Sequence, residues 1–245
     1  MITLATELFS AHGSNPDASC KTTGKPRRVF DREAKSNVFN LSSANCRLQV
    51  PKDDKTSLNN PHQFLVLQIC IPLTAQFSFQ IGVSDSHGSK RRLIFSTALK
   101  DLCETPLHAR IPLLDIKKGS WVNACFDISG FTKSVFRQGY NCMDIIEISP
   151  SVNLRKIFSL RTCPPPLGDD QIQSGIYPPG VVYTESIPTQ QLFPAGVKYT
   201  TQLFWYEKTI NTSISQAQGG IGVNIVGFNA AHAPIKYSIF NIRMA

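Results

Sequence analysis

Short runs of alternating apolar and polar residues dominate the first two thirds of this chain. The three clearest runs lie at residues 64–71, 77–83 and 90–97. The first run is almost wholly apolar and stops at Pro72, whereas the second alternates strictly. The polar segment 84–89 between the second and third runs is typical of a turn, so these two runs are predicted to form a hairpin.

Weaker runs of the same kind flank this centre and are separated by turn residues. They predict strands at residues 2–9, 29–30, 36–41, 45–50, 105–112, 121–128, 143–148 and 154–160. Only residues 129–136 favour a helix, because their apolar side chains lie near helical spacing and Ser129 is a suitable N-cap. Asp127, at the junction of strand and helix, is interpreted as a capping residue rather than a catalytic one.

Roughly ten short strands and one short helix indicate an all-β fold. The specific prediction is a jelly-roll-like antiparallel β-sandwich with one short helix, followed by an extended C-terminal arm. Alternate strand positions would face the space between two sheets about 10 Å apart. The expected core residues are Phe77, Phe79, Ile81, Val83, Val122, Phe126 and Ile157.

Proline-rich sequence follows the predicted sandwich. We assign residues 1–163 to the β-sandwich domain, residues 164–191 to a Pro-rich connector and residues 192–245 to the arm. Within the arm, the pattern predicts a short helix at residues 201–209 and strands at residues 221–228 and 237–242. The arm has no core of its own, so its apolar clusters are expected to need another surface to cover them.

The chain of 245 residues carries a formal net charge of +8. From residue 164 onward, four basic and four acidic residues cancel, so the predicted sandwich carries the whole excess. A positive field favours polyanionic partners such as nucleic acid, an acidic membrane surface or an acidic protein polymer. The same charge is also compatible with a role in solubility alone.

The seven cysteines are scattered without a C-x-x-C pair, and several lie within apolar runs. A reduced, intracellular protein is the simplest interpretation of this pattern. The first residues lack the basic and apolar regions of a signal peptide. No apolar stretch approaches the roughly 20 residues that span a bilayer, so no membrane association is expected.

No arrangement of residues points to catalysis, a cofactor or a metal. The chain has no G-x-S-x-G, H-E-x-x-H, P-loop or dinucleotide-binding motif. The glycine cluster at residues 219–222 precedes no helix-forming segment, so phosphate binding is not expected there. The five histidines lie far apart, without a cysteine at metal-ligand spacing. We therefore expect no catalytic, cofactor-binding or metal-binding residues, no small-molecule substrate and no enzymatic activity.

Clusters of basic residues are the main candidates for a functional surface. The candidate partner-binding residues are the cations Lys90, Arg91, Arg92, Lys117, Lys118, Arg155 and Lys156, together with the aromatic residues Phe204, Trp205 and Tyr206. Loops gather at the ends of a sandwich, so several cationic turns could converge there. Consecutive strand residues face opposite sides, so Arg91 and Arg92 should not serve one surface unless one lies in the loop. Each pair is also compatible with ordinary solvated surface.

Several short segments stand in the order found in one known family. They are 7–11 (ELFSA), 30–33 (FDRE), 64–69 (FLVLQI), 90–93 (KRRL), 95–97 (FST), 105–113 (TPLHARIPL) and 154–158 (LRKIF). On these segments, residues 5–163 resemble the cilia- and flagella-associated protein 20 domain family, and most closely its larger domain-containing relatives. Residues after about 175 match this family poorly, apart from 201–203.

The resemblance implies a jelly-roll-like sandwich with a non-enzymatic, structural role in the axoneme of cilia or flagella, on the cytoplasmic side. Founding members look like microtubule-associated proteins at doublet inner junctions. The implied partners are tubulin, microtubules and other axonemal proteins. The resemblance supplies no catalytic or metal-binding residues.

Two other interpretations of the residues stay open. A nucleic-acid-binding β domain fits the charge, but it would need exposed aromatic residues among the basic strands, and here they lie mostly at apolar-face positions. A glycan-binding or hydrolytic jelly roll would need paired carboxylates or an aromatic platform in a groove. No such pair is evident between residues 80 and 160.

Overall fold

The computed structural model describes residues 3–164, 181 and 184–206, which contain fourteen strands and one α-helix. The strands are β1 (Ala5–Ser10), β2 (Lys21–Thr23), β3 (Arg27–Asp31), β4 (Ser36–Leu41), β5 (Arg47–Val50), β6 (Phe64–Cys70), β7 (Ser78–Asp85), β8 (Lys90–Ser96), β9 (Cys103–Glu104), β10 (His108–Pro112), β11 (Trp121–Asp127), β12 (Tyr140–Ile148), β13 (Val152–Leu160) and β14 (Tyr199–Phe204). The helix α1 is Ile128–Phe136. Two short 3₁₀ turns lie at Pro16–Ala18 and Thr189–Gln191.

The described strands form two seven-stranded sheets that pack as a sandwich. The first sheet has the order β14–β11–β6–β13–β4–β3, with β1 also beside β13, and the second has the order β2–β5–β12–β7–β8–β10–β9. The predicted all-β sandwich with one short helix is confirmed. Both sheets are mixed rather than wholly antiparallel, because β14 pairs with β11 and β10 pairs with β8 in parallel.

The hairpin at the centre of the sequence pattern is present. Strands β7 and β8 are antiparallel, with Phe79 opposite Phe95 and Ile81 opposite Leu93. The Asp85 side chain closes the turn, because its Oδ1 accepts hydrogen bonds from two backbone N–H groups in the 86–89 segment. The predicted hairpin is therefore confirmed, with an aspartate as the residue that holds its tip.

All seven expected core residues are buried. The centre of the core is a group of phenylalanine rings from both sheets. The Phe79 ring lies 4.7 Å from Phe95 and 4.8 Å from Phe126, measured between centroids. Phe126 is also stacked on Phe204 at 4.8 Å. The last strand of the described chain therefore contributes a ring to the space between the sheets.

The helix predicted at residues 201–209 is wrong for its described part. Residues 201–204 belong to β14, which runs parallel to β11 from the pair Trp121–Tyr199 to the pair Phe126–Phe204. Pairing with a buried strand satisfies the backbone and outweighs the local preference. The strands predicted at residues 221–228 and 237–242 lie outside the described residues. The domain boundaries after residues 163 and 191 stay predictions.

The helix begins at a buried aspartate. The Asp127 side chain accepts a hydrogen bond from the Gly130 N–H at 2.8 Å, which confirms its capping role and shows that Ser129 is not the N-cap. Asp127 is only 6% exposed. Burial raises the pKa of its carboxyl to about 6, although the hydrogen bond from Gly130 acts in the opposite direction.

Replacing Asp127 by Asn should flatten the dependence of stability on pH. In the folded state the pKa lies above the ordinary value of 3.8. The stabilisation from protonation is therefore complete below about pH 4 and is lost as the pH rises through about 6, a difference of about 3 kcal/mol. Asn caps helices about as well as Asp, so Asp127→Asn should be more stable than the parent at pH 7. Urea unfolding between pH 4 and pH 8 measures this, and identical profiles for the two proteins would contradict it.

Candidate functional site

The predicted cations at the start of β8 separate onto two sides of the second sheet. Arg92 is exposed on the outer side, whereas the Arg91 side chain is only 14% exposed. Arg91 Nε donates to Asp85 Oδ2 at 2.7 Å, and its guanidinium lies 5.3 Å from the centroid of the Phe136 ring. Burial would raise the pKa of the Asp85 carboxyl, but hydrogen bonds from Arg91 and the turn backbone hold it below its ordinary value. Arg91 therefore fixes the hairpin, whereas Arg92 stays exposed on the outer side.

Lys90 lies on the outer side of the second sheet and is 68% exposed. Its Nζ lies 2.8 Å from Ser84 Oγ and 3.0 Å from Asp144 Oδ1. Asp144 is buried, which would raise the pKa of its carboxyl, but hydrogen bonds from Ser57, Ser84 and Lys90 lower it. Lys90 is therefore partly neutralised by a carboxylate of its own chain.

A histidine and a further arginine lie beside Arg92 because β10 pairs with β8 in parallel. The register places His108 opposite Arg92 and Arg110 opposite Ile94, and all three polar side chains are exposed. Within the described residues, Arg92 and Arg110 form no ion pair. We call Lys90, Arg92, His108 and Arg110 the outer basic face. It lies on the side of β8 and β10 opposite to the core residues Leu93, Phe95, Ala109 and Ile111.

A shallow cavity of about 280 Å³ opens on the outer basic face. Gly82 is one of the residues that line this cavity, and an added Cβ there would lie 2.6 Å from Ile145 Cγ2. A side chain at this position would therefore collide with β12. The residues around the cavity include Lys90, Arg91, Arg92, His108 and Asp144.

The predicted cations Lys117 and Lys118 lie in the loop before β11 and contact their own chain. Lys117 Nζ donates to Thr200 Oγ1 at 3.1 Å, and its backbone N–H donates to Gln202 Oε1 at 2.9 Å. Lys118 Nζ donates to the carbonyl oxygen of Ala75 at 2.7 Å. These contacts tie the loop to β14 and to the turn after β6, so the structure does not bring either lysine to the outer basic face.

Arg155 and Lys156 are buried, at 8% and 6% exposure, and this corrects the expectation that they form an exposed patch. The register of β13 against β6 shifts between Leu154 and Lys156, which marks a β-bulge. A bulge changes the direction of the side chains, and both cations lie on the outer side of the first sheet. Burial lowers the pKa of the Arg155 guanidinium, with an opposing effect from Glu7.

Arg155 and Lys156 are covered by the segment 184–198, which we call the strap. It crosses the outer side of the first sheet and leads into β14. Its backbone carbonyl oxygens accept hydrogen bonds from three side chains of the sandwich: Gln68 to Gln191 at 2.7 Å, Lys156 to Gln190 at 2.9 Å and Lys35 to Ala195 at 3.0 Å. Arg155 also donates to Gln68 Oε1. The two predicted cations therefore hold the strap in place.

An aromatic contact fixes the middle of the strap. The Phe193 ring lies 5.8 Å from Trp121 and 4.6 Å from Tyr199, measured between centroids. The Arg155 guanidinium lies 5.1 Å from the centre of the same ring. The buried residues of this cluster are Ala34, Val38, Trp121, Phe193, Val197 and Tyr199. The strap thus covers apolar surface of the first sheet that would otherwise face water.

Phe204, Trp205 and Tyr206 are covered by the chain itself. They are only 1%, 3% and 4% exposed. Phe204 lies in the central core, whereas Trp205 packs on the outer side of the first sheet in a cluster with Phe64. The carbonyl oxygen of Tyr206 accepts a hydrogen bond from Ser134 Oγ at 3.1 Å, which ties this end to α1. The expectation that these aromatic residues need a partner to cover them is therefore corrected.

Sequence reasoning found Lys90 and Arg92 but missed His108 and Arg110. The alternation in the segment 105–112 indicated a strand with these two side chains on one face. Only the parallel pairing of β10 with β8 brings that face beside Arg92, and parallel neighbours far apart in sequence leave no local signal.

The described residues show few features of a reaction centre. Within these ranges, no three His, Cys, Asp or Glu side chains come together where they could hold a metal ion. The described part of the chain also contains no helix that is long and apolar enough to cross a membrane. All seven cysteines are free thiols, and burial raises the pKa of Cys163 to about 12.

One comparison with known proteins identifies a family. The sequence model of the CFA20 domain matches residues 2–163 of the chain. This range contains strands β1 to β13 and the helix α1, and therefore both sheets except β14. The strap and β14 follow the matched residues.

Truncating the core ring of β14 should destabilise the whole sandwich. Phe204→Ala removes a side chain that is 1% exposed and stacked on Phe126, so the free energy of unfolding should fall by about 3–5 kcal/mol. Leu73→Ala is the control, because Leu73 is 74% exposed and its loss should cost less than about 0.5 kcal/mol. Urea unfolding measures both values. Equal effects of the two substitutions would contradict the position of β14 in the core.

Proposed function

Because the chain belongs to the CFA20 domain family of cilia- and flagella-associated proteins, we propose that it is a non-enzymatic structural protein of the ciliary or flagellar axoneme. It docks on microtubules, through tubulin or a neighbouring axonemal protein, by means of the outer basic face. The family match supports the cellular setting. The exposed cations of the second sheet support the choice of the outer basic face as the docking surface.

The single observation that carries the choice of surface is the difference between the two outer sides of the sandwich. The strap covers the first sheet and uses Arg155 and Lys156 for internal contacts. The second sheet leaves Arg92, His108 and Arg110 exposed. The unpaired guanidinium groups of Arg92 and Arg110 attract an acidic polymer at long range, and salt weakens this attraction.

The nucleic-acid alternative receives less support from the same surface. Binding of single strands depends on aromatic rings that stack with bases beside the cations. Among the described residues, the large exposed hydrophobic side chains include a single aromatic ring, Phe30, and it lies on β3 of the first sheet. The outer basic face itself presents aliphatic Leu107 and Ile145 between its charges.

Charge reversal on the outer basic face should weaken binding to microtubules. The double variant Arg92→Glu/Arg110→Glu replaces two unpaired, exposed cations, so the dissociation constant in a cosedimentation assay should rise by about tenfold at low salt. Binding of the parent protein should also weaken as the salt concentration rises.

The matched control reverses two exposed cations on the other side of the sandwich. Arg161→Glu/Lys198→Glu changes the net charge by the same amount but lies at the end of β13 and in the strap. It should retain most of the binding. An equal loss of binding in both double variants would show that only net charge matters. Binding that does not change with salt concentration would argue against electrostatic docking. Tight binding of single-stranded RNA in a gel shift would favour the nucleic-acid alternative.

A further inference from the structure

The edge strand β3 exposes both its backbone and its side chains. It forms the end of the first sheet and pairs only with β4 in the described structure. Four of its five residues are exposed, including Val29 at 42% and Phe30 at 65%. Among the described edge strands, only β3 carries two large exposed apolar residues. Such an edge is a template for pairing with another strand.

The sequence of this strand, Arg-Arg-Val-Phe-Asp, is complementary to itself when reversed. In an antiparallel pair of two copies centred on Val29, each Val29 lies opposite its counterpart. Arg28 then lies opposite Phe30, and Arg27 lies opposite Asp31. We propose that β3 joins two copies of this chain edge to edge, so that their first sheets form one continuous sheet across a twofold axis.

The charges at the two ends of β3 are available for this pairing. Arg27 is exposed and makes no side-chain hydrogen bond or ion pair within the described residues. Asp31 uses Oδ1 to accept hydrogen bonds from Ala34 N at 2.8 Å and Trp121 Nε1 at 3.4 Å, so its Oδ2 is left for a partner. Arg27 and Asp31 share one face of the strand but stand four residues, about 13 Å, apart. They cannot reach each other within one chain, whereas the symmetric pairing brings them together twice.

The other face of β3 supplies the apolar contact. Phe30 and Arg28 lie on the side of the sheet that carries core residue Phe39, which stands opposite Arg28 in β4. Arg28 is already ordered, because Nε donates to the carbonyl oxygen of Ala11 at 3.0 Å and Nη2 to that of Gly13 at 2.6 Å. Its aliphatic stem offers a fixed surface on which the partner's phenylalanine can pack. A twofold, isologous contact of this kind closes at two copies and does not propagate into a filament.

A charge-swap experiment on the full chain tests both the interface and its register. The chain has a mass of 27.1 kDa, and sedimentation equilibrium should show a concentration-dependent species of twice this mass. Arg27→Asp alone and Asp31→Arg alone each place two like-charge pairs across the interface, so each should raise the dimer dissociation constant by about tenfold. In an equimolar mixture of the two variants, a carboxylate of one chain faces a guanidinium of the other at both ends of the interface, so the mixture should restore the dimer.

Arg110→Asp is the control, because it reverses an exposed cation on the second sheet and should leave the dimer unchanged. Asp31→Arg also loses the bonds to Ala34 and Trp121, so a second measurement uses Val29→Cys. Two cysteines at the centre of the pair lie within disulfide distance, and mild oxidation should link the variant into a covalent dimer faster than the parent chain. A chain that stays monomeric at its highest soluble concentration would overturn the proposal. So would a dimer that Arg27→Asp leaves unchanged, or Val29→Cys chains that link no faster than the parent.

Discussion

The first sheet of this protein must be covered on both sides. Every residue of β11 and all but the last residue of β6 are buried, so neither face of these central strands tolerates water. Strands of this kind need a layer above and a layer below. The second sheet forms one layer, with Phe79 against Phe126, and the strap forms the other, with Phe193 against Trp121. The rest of the structure depends on this double covering.

The covering also determines which charged side chains stay exposed. A buried cation is costly unless its hydrogen-bonding groups are satisfied or it lies against a polarisable surface. Lys156 meets Glu7 at 2.7 Å and a strap carbonyl, and Arg155 lies over the Phe193 ring. These groups are therefore part of the packing between strap and sheet. The exposed, unpaired guanidinium groups of Arg92 and Arg110 lie on the opposite side, where no layer follows in the described structure.

The two edges of the first sheet differ in how far they are buried. At one end, β14 pairs with β11, and all six of its residues are buried. At the other end, β3 has a partner on one side only and exposes Val29 and Phe30. The CFA20 domain match covers β3 but ends before the strap and β14. One edge is thus completed by a later segment of the same chain, and the other stays exposed in the described structure.

Local pattern was enough to predict the all-β class, the β7–β8 hairpin, the capping aspartate and the buried core residues, because each depends on residues close together in sequence. Alternation determines which side chains share a face, and turn residues determine where a strand ends. Tertiary structure alone decided the parallel neighbours of β8 and β11, the bulge that directs Arg155 and Lys156 beneath the strap, and the burial of Phe204. Each of these features joins segments that lie far apart along the chain. Their free energy comes from contacts that no window of neighbouring residues contains, so the basic side chains that are used internally and those that remain exposed look alike in the sequence.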